Sequence, residues 1–152
     1  MANPWKKVMG YVNMSAKYGA AGGRTVTLLR EAGYTEEEIQ DKLSSKKNIN
    51  IDSVYLEQLF HEQNGRCHYD MNTVINPHDV FTPNHPLAPS VDRIDNTKGY
   101  VKGNVVISTR FTNRGRGCAE YDLFVDECMP RIKEGLTDKT KLPNLENYYE
   151  EE

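Results

Sequence analysis

The stretch from residue 90 to residue 108 reads SVDRIDNTKGYVKGNVVIS, and Asn113 follows it five residues later. Two short runs rich in β-branched residues, 90–94 and 104–108, flank a polar connector with two glycines. This pattern predicts two antiparallel strands joined by a tight loop. A helix is expected to follow at about 109–114, and it should be short because Gly115 and Gly117 end it. The sequence therefore predicts an α+β fold centred on a hairpin that leads into a helix.

Two polar side chains of this hairpin and helix are candidate metal ligands, and a third is a candidate for holding the loop in shape. The Asp92 carboxylate projects from the first strand and the Asn113 amide comes from the helix, so the two oxygens can reach one point. A few hard oxygen ligands suit Mg²⁺ that is held jointly with a substrate phosphate, and they suit zinc poorly. Asn104, at the start of the second strand, is expected to brace the connector by side-chain hydrogen bonds without contacting the metal.

Helices are predicted around the hairpin. Residues 4–17 are expected to form the first helix, and Thr35 with Glu38 makes a capping box for the second. Asp52 is a candidate N-cap for a helix that continues to about residue 63. Residues 66–89 contain four prolines and predict mostly loop. A last helix at 119–133 has the apolar stripe Tyr121, Phe124, Val125, Cys128, Met129 and Ile132, with Cys128 expected to be buried.

The charges of the chain are segregated, although the net charge is only −3. Residues 1–30 carry five basic residues and no acidic one, and residues 93–117 carry six basic residues and one acidic one. Local basic potential of this kind favours binding to phosphate groups. The pattern predicts a basic N-terminal helical arm at 1–48, a central domain at 49–135 and an acidic C-terminal tail at 136–152. Candidate contacts to a nucleic-acid backbone are Lys98, Lys102, Arg110, Arg114, Arg116, Lys46 and Lys47.

Other classes of protein are disfavoured by the composition. No apolar run approaches the roughly 18 residues of a membrane span, and the first residues lack an apolar signal-peptide core. Three irregularly spaced cysteines, Cys67, Cys118 and Cys128, do not suggest a disulfide framework. An intracellular, cytoplasmic protein without a membrane partner is therefore expected.

Two segments carry a resemblance to a known family. Residues 56–67, LEQLFHEQNGRC, and residues 92–105, DRIDNTKGYVKGNV, resemble the lead-in and the central motif of HNH endonucleases, the ββα-metal or His-Me finger superfamily. The similarity extends over residues 49–132 and is to the phage and restriction-enzyme branch with Asp-Arg in place of Asp-His. It implies a ββα-metal core packed with flanking helices, and a DNA endonuclease of phage or mobile-element type that requires Mg²⁺ (or Mn²⁺). By position, Asp92 and Asn113 are the metal ligands and Asn104 is the loop-bracing asparagine.

The chain departs from the family pattern at the zinc site. Many members hold the finger with a zinc ion bound by two Cys-x-x-Cys pairs, which fall here at Cys67, Asp70, Thr109 and Thr112. Only one of these four positions is a cysteine, so the tetrahedral thiolate site cannot form. No structural zinc is expected, unless His68 or a distant cysteine replaces a missing ligand.

A second departure concerns the catalytic base. Arg93 stands where the family carries a histidine, and a guanidinium stays protonated at any reachable pH. Arg93 is better suited to gripping the scissile phosphate with two hydrogen bonds. Another group must then supply or activate the nucleophile: a metal-bound water, a histidine from outside the motif, or a tyrosine. The candidates are His85 first, then His61 and His68, and then Tyr69 and Tyr100.

Two other functions are compatible with the sequence. A non-catalytic nucleic-acid-binding module on a degenerate HNH scaffold would explain both departures, and an interaction protein that uses the finger only as a fold would explain the low net charge. The expected partner of the nuclease is DNA. One metal centre cuts one strand, so double-strand cleavage would require a homodimer or two binding events, and the sequence does not decide between monomer and homodimer.

Overall fold

A two-stranded antiparallel sheet and short helices make up the described part of the chain, which in this computed structural model is residues 2–18, 24–44 and 48–134. The helices before the sheet are α1 (Pro4–Tyr18), α2 (Arg24–Glu31), α3 (Glu36–Ser44) and α4 (Ser53–Glu62), followed by a 3₁₀ turn (Pro77–Phe81). The strands are β1 (Pro89–Arg93) and β2 (Val105–Thr109). Helix α5 (Arg110–Arg116) comes next, and the chain then continues through α6 (Tyr121–Leu123), a π turn (Phe124–Cys128) and α7 (Met129–Glu134). The fold is mixed α+β.

The predicted hairpin and helix are present within one or two residues of their expected bounds. Asp92 lies opposite Val106 in the antiparallel register. Thr109 caps α5, because its Oγ1 accepts a hydrogen bond of 3.2 Å from the Thr112 amide. Gly117, with φ of 55°, ends the helix in a conformation that favours glycine. The chain therefore passes from β2 into α5 without a loop, and this places α5 across the hairpin.

Helix α1 belongs to the main core, whereas the division of the chain into a basic N-terminal helical arm over 1–48 and a central domain stays a prediction. Trp5, Val8 and Val12 lie in the same buried cluster as Val91 and Ile107. Their spacing of three and four residues forms one apolar face of the helix, and the neighbouring lysines lie on the exposed side. The predicted acidic tail, and the predicted contacts of Lys46 and Lys47, lie outside the described residues.

Two helix caps are confirmed, and one helix was not predicted. The Glu38 amide donates to Thr35 Oγ1 at 3.2 Å, and the Tyr55 amide donates to Asp52 Oδ1 at 2.8 Å. Helix α2 was missed; it packs against α3 through a small second cluster around Val26 and Ile39. This pair of helices carries few apolar residues, so its sequence pattern is weak.

The last helix is interrupted by the π turn, whereas a continuous helix was expected. Pro130 has no amide hydrogen, so the regular hydrogen bond to the residue four positions earlier is missing there. A π turn holds more residues per turn than an α-helix, so the side chains after it shift around the helix axis and Ile132 leaves the apolar stripe. Phe124 and Met129 are buried, but Ile132 is 51% exposed and Cys128 is only half-buried. Among the described residues, no helix is long and apolar enough to cross a membrane.

Candidate metal site and nucleic-acid cleft

Asp92 is held at one carboxylate oxygen and open at the other. The residue is buried, and its Oδ2 accepts hydrogen bonds from Arg116 Nη1 at 2.9 Å and from the Tyr69 hydroxyl. Oδ1 has no hydrogen-bond partner among the described residues. Because no buried side-chain oxygen or nitrogen of the described residues lacks a partner, Oδ1 keeps contact with solvent. The carboxylate is thus oriented by one oxygen and free to bind a ligand with the other.

Arg116 lies inside the protein, which corrects its prediction as a DNA contact. It is 3% exposed, and its guanidinium also donates to the carbonyl oxygens of Arg93, Ile94 (2.7 Å) and Ala119 (3.0 Å). Burial lowers the pKa of Arg116, but the hydrogen bond and charge of Asp92 outweigh this effect, and the pKa is raised overall. Arg116 therefore joins the end of α5 to the end of β1 and fixes the Asp92 carboxylate.

Tyr69 donates to Asp92 and keeps its proton. Burial, and then the hydrogen bond and charge of Asp92, raise the pKa of the Tyr69 hydroxyl far above its ordinary value. The ring packs edge-on against Phe124, with ring centroids 5.0 Å apart. A phenol held in this way donates a hydrogen bond. The structure therefore does not favour Tyr69 as the catalytic base, for which it is a candidate from the sequence.

Asn113 shows the same arrangement as Asp92. Its Nδ2 donates to Ser90 Oγ at 2.7 Å and to the Val91 carbonyl oxygen at 3.3 Å. A carbonyl oxygen only accepts, so Nδ2 must face β1, and Oδ1 faces away from it. Oδ1 has no hydrogen-bond partner in the described part of the chain. Because Val91 directly precedes Asp92, the two candidate ligands are anchored at neighbouring positions of β1.

Asn104 has the bracing geometry that was predicted for it. Its Oδ1 accepts from the Asp95 amide at 2.9 Å, and its Nδ2 donates to the carbonyl oxygens of Asp95 (3.1 Å) and Gly99 (3.0 Å). The side chain is buried. One amide therefore satisfies three backbone groups of the connector and holds the turn end of the hairpin in shape.

We expect Asn104→Ala to lower the free energy of unfolding by about 2–4 kcal/mol, because each buried backbone group left without a partner costs about 1–3 kcal/mol. Urea unfolding measures this loss. Asn96→Ala is the matched control in the same connector, since Asn96 makes one long side-chain bond of 3.4 Å to Ala119. Equal stability of the Asn104 and Asn96 variants would show that the bracing is not energetically important.

Arg93 does not face the two candidate ligands in this structure. Its Nη1 donates to the carbonyl oxygens of Asn96 (3.4 Å) and Lys98 (3.2 Å), and its guanidinium lies 5.1 Å from the centre of the Tyr100 ring. Alternation along β1 places it on the opposite side of the strand from Asp92. Nε and Nη2 have no hydrogen bonds to described residues. Gripping of a phosphate by Arg93 stays a prediction.

The predicted first choice for the base, His85, has other partners. Its Nδ1 accepts from the Leu87 amide at 3.1 Å, and its Nε2 lies 3.8 Å from Asp79 Oδ2. No described contact joins His85 to Asp92 or Asn113. His61 is exposed at the end of α4. Neither histidine is brought to the candidate metal site.

His68 is the described histidine whose pKa is affected by the charge of Asp92. Its Nε2 is 2.6 Å from the Tyr121 hydroxyl, and its ring packs edge-on against Tyr69, with centroids 5.1 Å apart. Burial lowers the pKa of His68, and the charge of Asp92 opposes this effect without cancelling it. Burial therefore favours the neutral form of His68, which is the form that a base must have.

The lowered pKa of His68 predicts a pH dependence of stability. Between its folded pKa and the ordinary value of about 6.5 the unfolded chain binds more protons, so stability is complete above pH 6.5 and is lost as the pH falls through the folded pKa. We expect His68→Gln to weaken this loss. Thermal unfolding of both proteins from pH 7.5 to pH 5 measures it, and parallel curves would contradict the assignment.

Three of the four positions that carry zinc ligands in the resembling family meet in the structure. Cys67 Sγ lies 3.6 Å from Thr112 Oγ1, which lies 3.0 Å from Thr109 Oγ1, and all three residues are buried. Asp70 instead accepts from the Thr73 hydroxyl at 2.8 Å. A hydrogen-bonded cluster thus joins the start of α5 to the segment after α4. The expected absence of zinc stays a prediction.

A cleft of about 310 Å³ opens beside Asn113, between α1 and α5. We call it the Asn113 cleft. Its described lining includes Tyr11, Asn84, Ser90, Arg110, Asn113 and Arg114. Asp92, Arg93 and His85 are not among these residues. The cleft therefore unites three of the residues predicted from the sequence with Tyr11, Asn84 and Ser90, which were not predicted.

The predicted DNA contacts divide between the two ends of the hairpin. Arg110 and Arg114 lie at the Asn113 cleft, whereas Lys98 and Lys102 are exposed on the connector at the turn end. Lys98 Nζ is 3.8 Å from Asp95 Oδ2, and Lys102 Nζ is 5.8 Å from the centre of the Tyr55 ring. The five-residue strands separate the two groups by roughly 13 Å, at about 3.3 Å per residue.

Gln63 is a structural residue that sequence reasoning missed. Its Nε2 donates to the carbonyl oxygens of Arg66 (2.9 Å) and Ile107 (2.8 Å), and its Oε1 accepts from the Ile107 amide at 2.9 Å. The side chain pairs with the outer edge of β2 as a third strand would. No local pattern marks this role, because the partner is 44 residues away.

The donor set fits a hard divalent cation better than a transition metal. Among the described residues, no three histidine, cysteine, aspartate or glutamate side chains form a metal-binding cluster. The open oxygens of Asp92 and Asn113 would supply two ligands, with water and phosphate as the rest, which is how proteins commonly hold Mg²⁺.

Comparison with protein-family models, curated proteins and solved structures gives no match to this chain.

Proposed function

We propose that this chain is a metal-dependent DNA endonuclease that hydrolyses phosphodiester bonds. Mg²⁺ (or Mn²⁺) would be held by Asp92 and Asn113. One observation carries the proposal: each of these side chains is anchored through one atom and presents an oxygen that has no hydrogen-bond partner among the described residues. The HNH-like motif of the sequence and the basic Asn113 cleft support it.

The residues around the ligands have defined parts in the proposed reaction. A bound Mg²⁺ would polarise the phosphate and lower the pKa of bound water. Arg116 and Tyr69 hold Asp92 Oδ2, so that Oδ1 keeps its direction when the charge of the phosphate approaches. Ser90 does the same for Asn113. These outer contacts reduce the reorganisation that metal binding would otherwise require.

Arg93 is proposed to bind the scissile phosphate bidentately, for which its side chain would turn from the connector toward the Asp92 side of the strand. In the described part of the chain only its Nη1 is hydrogen-bonded, to the carbonyl oxygens of Asn96 and Lys98. The attacking water would lose its proton either to solvent, if the water is bound to the metal, or to a neutral histidine. His68 replaces His85 as the first histidine to test, because Asp92 influences its pKa and because burial favours its neutral form.

The second candidate is a nucleic-acid-binding module without catalysis. It is favoured by the buried ion pair of Asp92 with Arg116, since a carboxylate that already has a cation partner is able to serve a structural role alone. No described histidine contacts Asp92 or Asn113. This candidate predicts DNA binding that weakens with salt and no cleavage in any divalent metal.

Nicking of supercoiled plasmid in Mg²⁺, Mn²⁺ and EDTA tests the proposal, with DNA binding measured in parallel. The endonuclease predicts nicked product in either metal and none in EDTA. Binding without cleavage in every metal would establish the second candidate. Absence of both binding and cleavage would favour the interaction protein.

A further inference from the structure

The described lining of the Asn113 cleft combines two cations with several polar groups. None of its described lining residues is aspartate or glutamate, and two of them, Arg110 and Arg114, are guanidinium groups. Neither arginine side chain has an ion pair or a hydrogen bond within the described part of the chain. Pro83, the Ser90 hydroxyl, the Asn84 amide and Asn113, whose Nδ2 already donates to Ser90 and Val91, also line the cleft. Such a surface is complementary to an anion with several acceptor oxygens.

Tyr11 of α1 holds one of these arginines in place. The Arg110 guanidinium lies 4.9 Å from the centre of the Tyr11 ring, which is 41% exposed at the cleft wall. Lys7 Nζ is 5.7 Å from the same ring. An aromatic ring orients a cation without neutralising it and leaves its N–H groups free, whereas a carboxylate would occupy them. Arg110 is thus positioned before any anion arrives.

The size and place of the cleft indicate which anion it fits. Its volume is at the lower end of the range for small-molecule sites, about 300–1,000 Å³, which is the scale of a single sugar-phosphate unit. Asn113, a proposed metal ligand, forms part of its wall. An anion bound there is a neighbour of the phosphate that Asn113 would help to cut.

We propose that the Asn113 cleft binds one phosphodiester group of the DNA strand beside the scissile phosphate, with Arg110 as its ligand and Tyr11 as the residue that positions Arg110. The word "scissile" rests on the proposed function, but the binding site does not. Helix α1, outside the resembling segment, thereby becomes part of the substrate surface.

Binding of a fluorescent single-stranded oligonucleotide in EDTA tests this site without catalysis. We expect Arg110→Gln to weaken binding about 10-fold or more at 50 mM KCl. The slope of log Kd against log [KCl] should fall in magnitude by about 0.7, the value for one lost contact to a single strand. Arg131→Gln is the charge-matched control, because Arg131 is an exposed residue of α7 that pairs with Glu127. An unchanged slope in the Arg110 variant would overturn the proposal.

The positioning role of Tyr11 has its own readout. Tyr11→Leu should weaken binding about 2- to 5-fold, and Tyr11→Phe, which keeps the ring, should bind as the wild type does. Adding Tyr11→Leu to Arg110→Gln should cause no further loss of binding, because both changes remove the same interaction. Additive losses in the double variant would show that Tyr11 does not act through Arg110.

Inorganic phosphate separates a strand from a free anion as the occupant. At matched ionic strength, phosphate should displace the oligonucleotide no better than KCl. Displacement at millimolar phosphate that disappears in Arg110→Gln would assign the cleft to a free phosphate and overturn the strand assignment. If plasmid nicking fails while the Arg110 slope changes as expected, only the proposed endonuclease function is wrong.

Discussion

Asp92→Ala is expected to lower the free energy of unfolding by about 3–5 kcal/mol, the cost of removing one partner from a buried ion pair. The change leaves the Arg116 charge inside the protein without its carboxylate, and both side chains are almost fully buried, at 1% and 6% exposure. Tyr69 also loses its acceptor. Urea unfolding at neutral pH measures the loss.

A surface ion pair provides the control for this prediction. Glu127→Ala removes the partner of Arg131, and the exposed pair is expected to contribute at most about 1 kcal/mol. A loss for Asp92→Ala as small as that for Glu127→Ala would show that Asp92 and Arg116 are not a buried pair in solution.

Asp92→Asn separates stability from catalysis. The amide oxygen still accepts from Arg116 and Tyr69, so the variant should fold, although the negative charge that would attract Mg²⁺ is gone. An Asp92→Ala variant that does not cut DNA could simply be unfolded. The asparagine variant is therefore the informative one for activity, and it should be inactive.

Asn113→Ala is expected to reduce plasmid nicking in Mg²⁺ at least about 100-fold, because even partners in the outer shell of a metal contribute about 10- to 100-fold. The fold should survive, since only the half-exposed contacts to Ser90 and Val91 are lost. Initial rates of nicking, with the unfolding curve of the same preparation, measure both effects.

Asn96→Ala is the matched control for Asn113. Asn96 is an asparagine of similar exposure in the connector, with one long bond to Ala119. It should keep close to full nicking activity. Full activity of the Asn113 variant would remove Asn113 from the proposed metal site.

The hairpin and the helix caps could be predicted because their causes are local. Short runs rich in β-branched residues, glycines in the connector, and polar caps at Thr35 and Asp52 act over a few neighbouring residues. The bracing by Asn104 is also local, since its partners lie five and nine residues away. Local patterns therefore account for the centre of the fold.

The parts that could not be predicted depend on distant partners. The sequence shows Arg116 as one more basic residue, and only its contacts with Asp92 and the carbonyl oxygens of β1 and the connector reveal a buried residue. Lys6 and Lys7 suggest a basic arm, whereas Trp5 and Val8 of the same helix are buried in the core. The Asn113 cleft needs α1 and α5 together, and no sequence window contains both.

Manganese-induced broadening of NMR signals tests most directly whether Asp92 and Asn113 hold the metal. A small amount of Mn²⁺ is added to the isotope-labelled protein bound to a short oligonucleotide, and EDTA is then added. The side-chain amide of Asn113 and the backbone amides of Val91 and Asp92 should broaden first and recover with EDTA, while the side-chain amide of Asn96 changes less. Broadening centred elsewhere, with a sharp Asn113 signal, would contradict the proposed metal site.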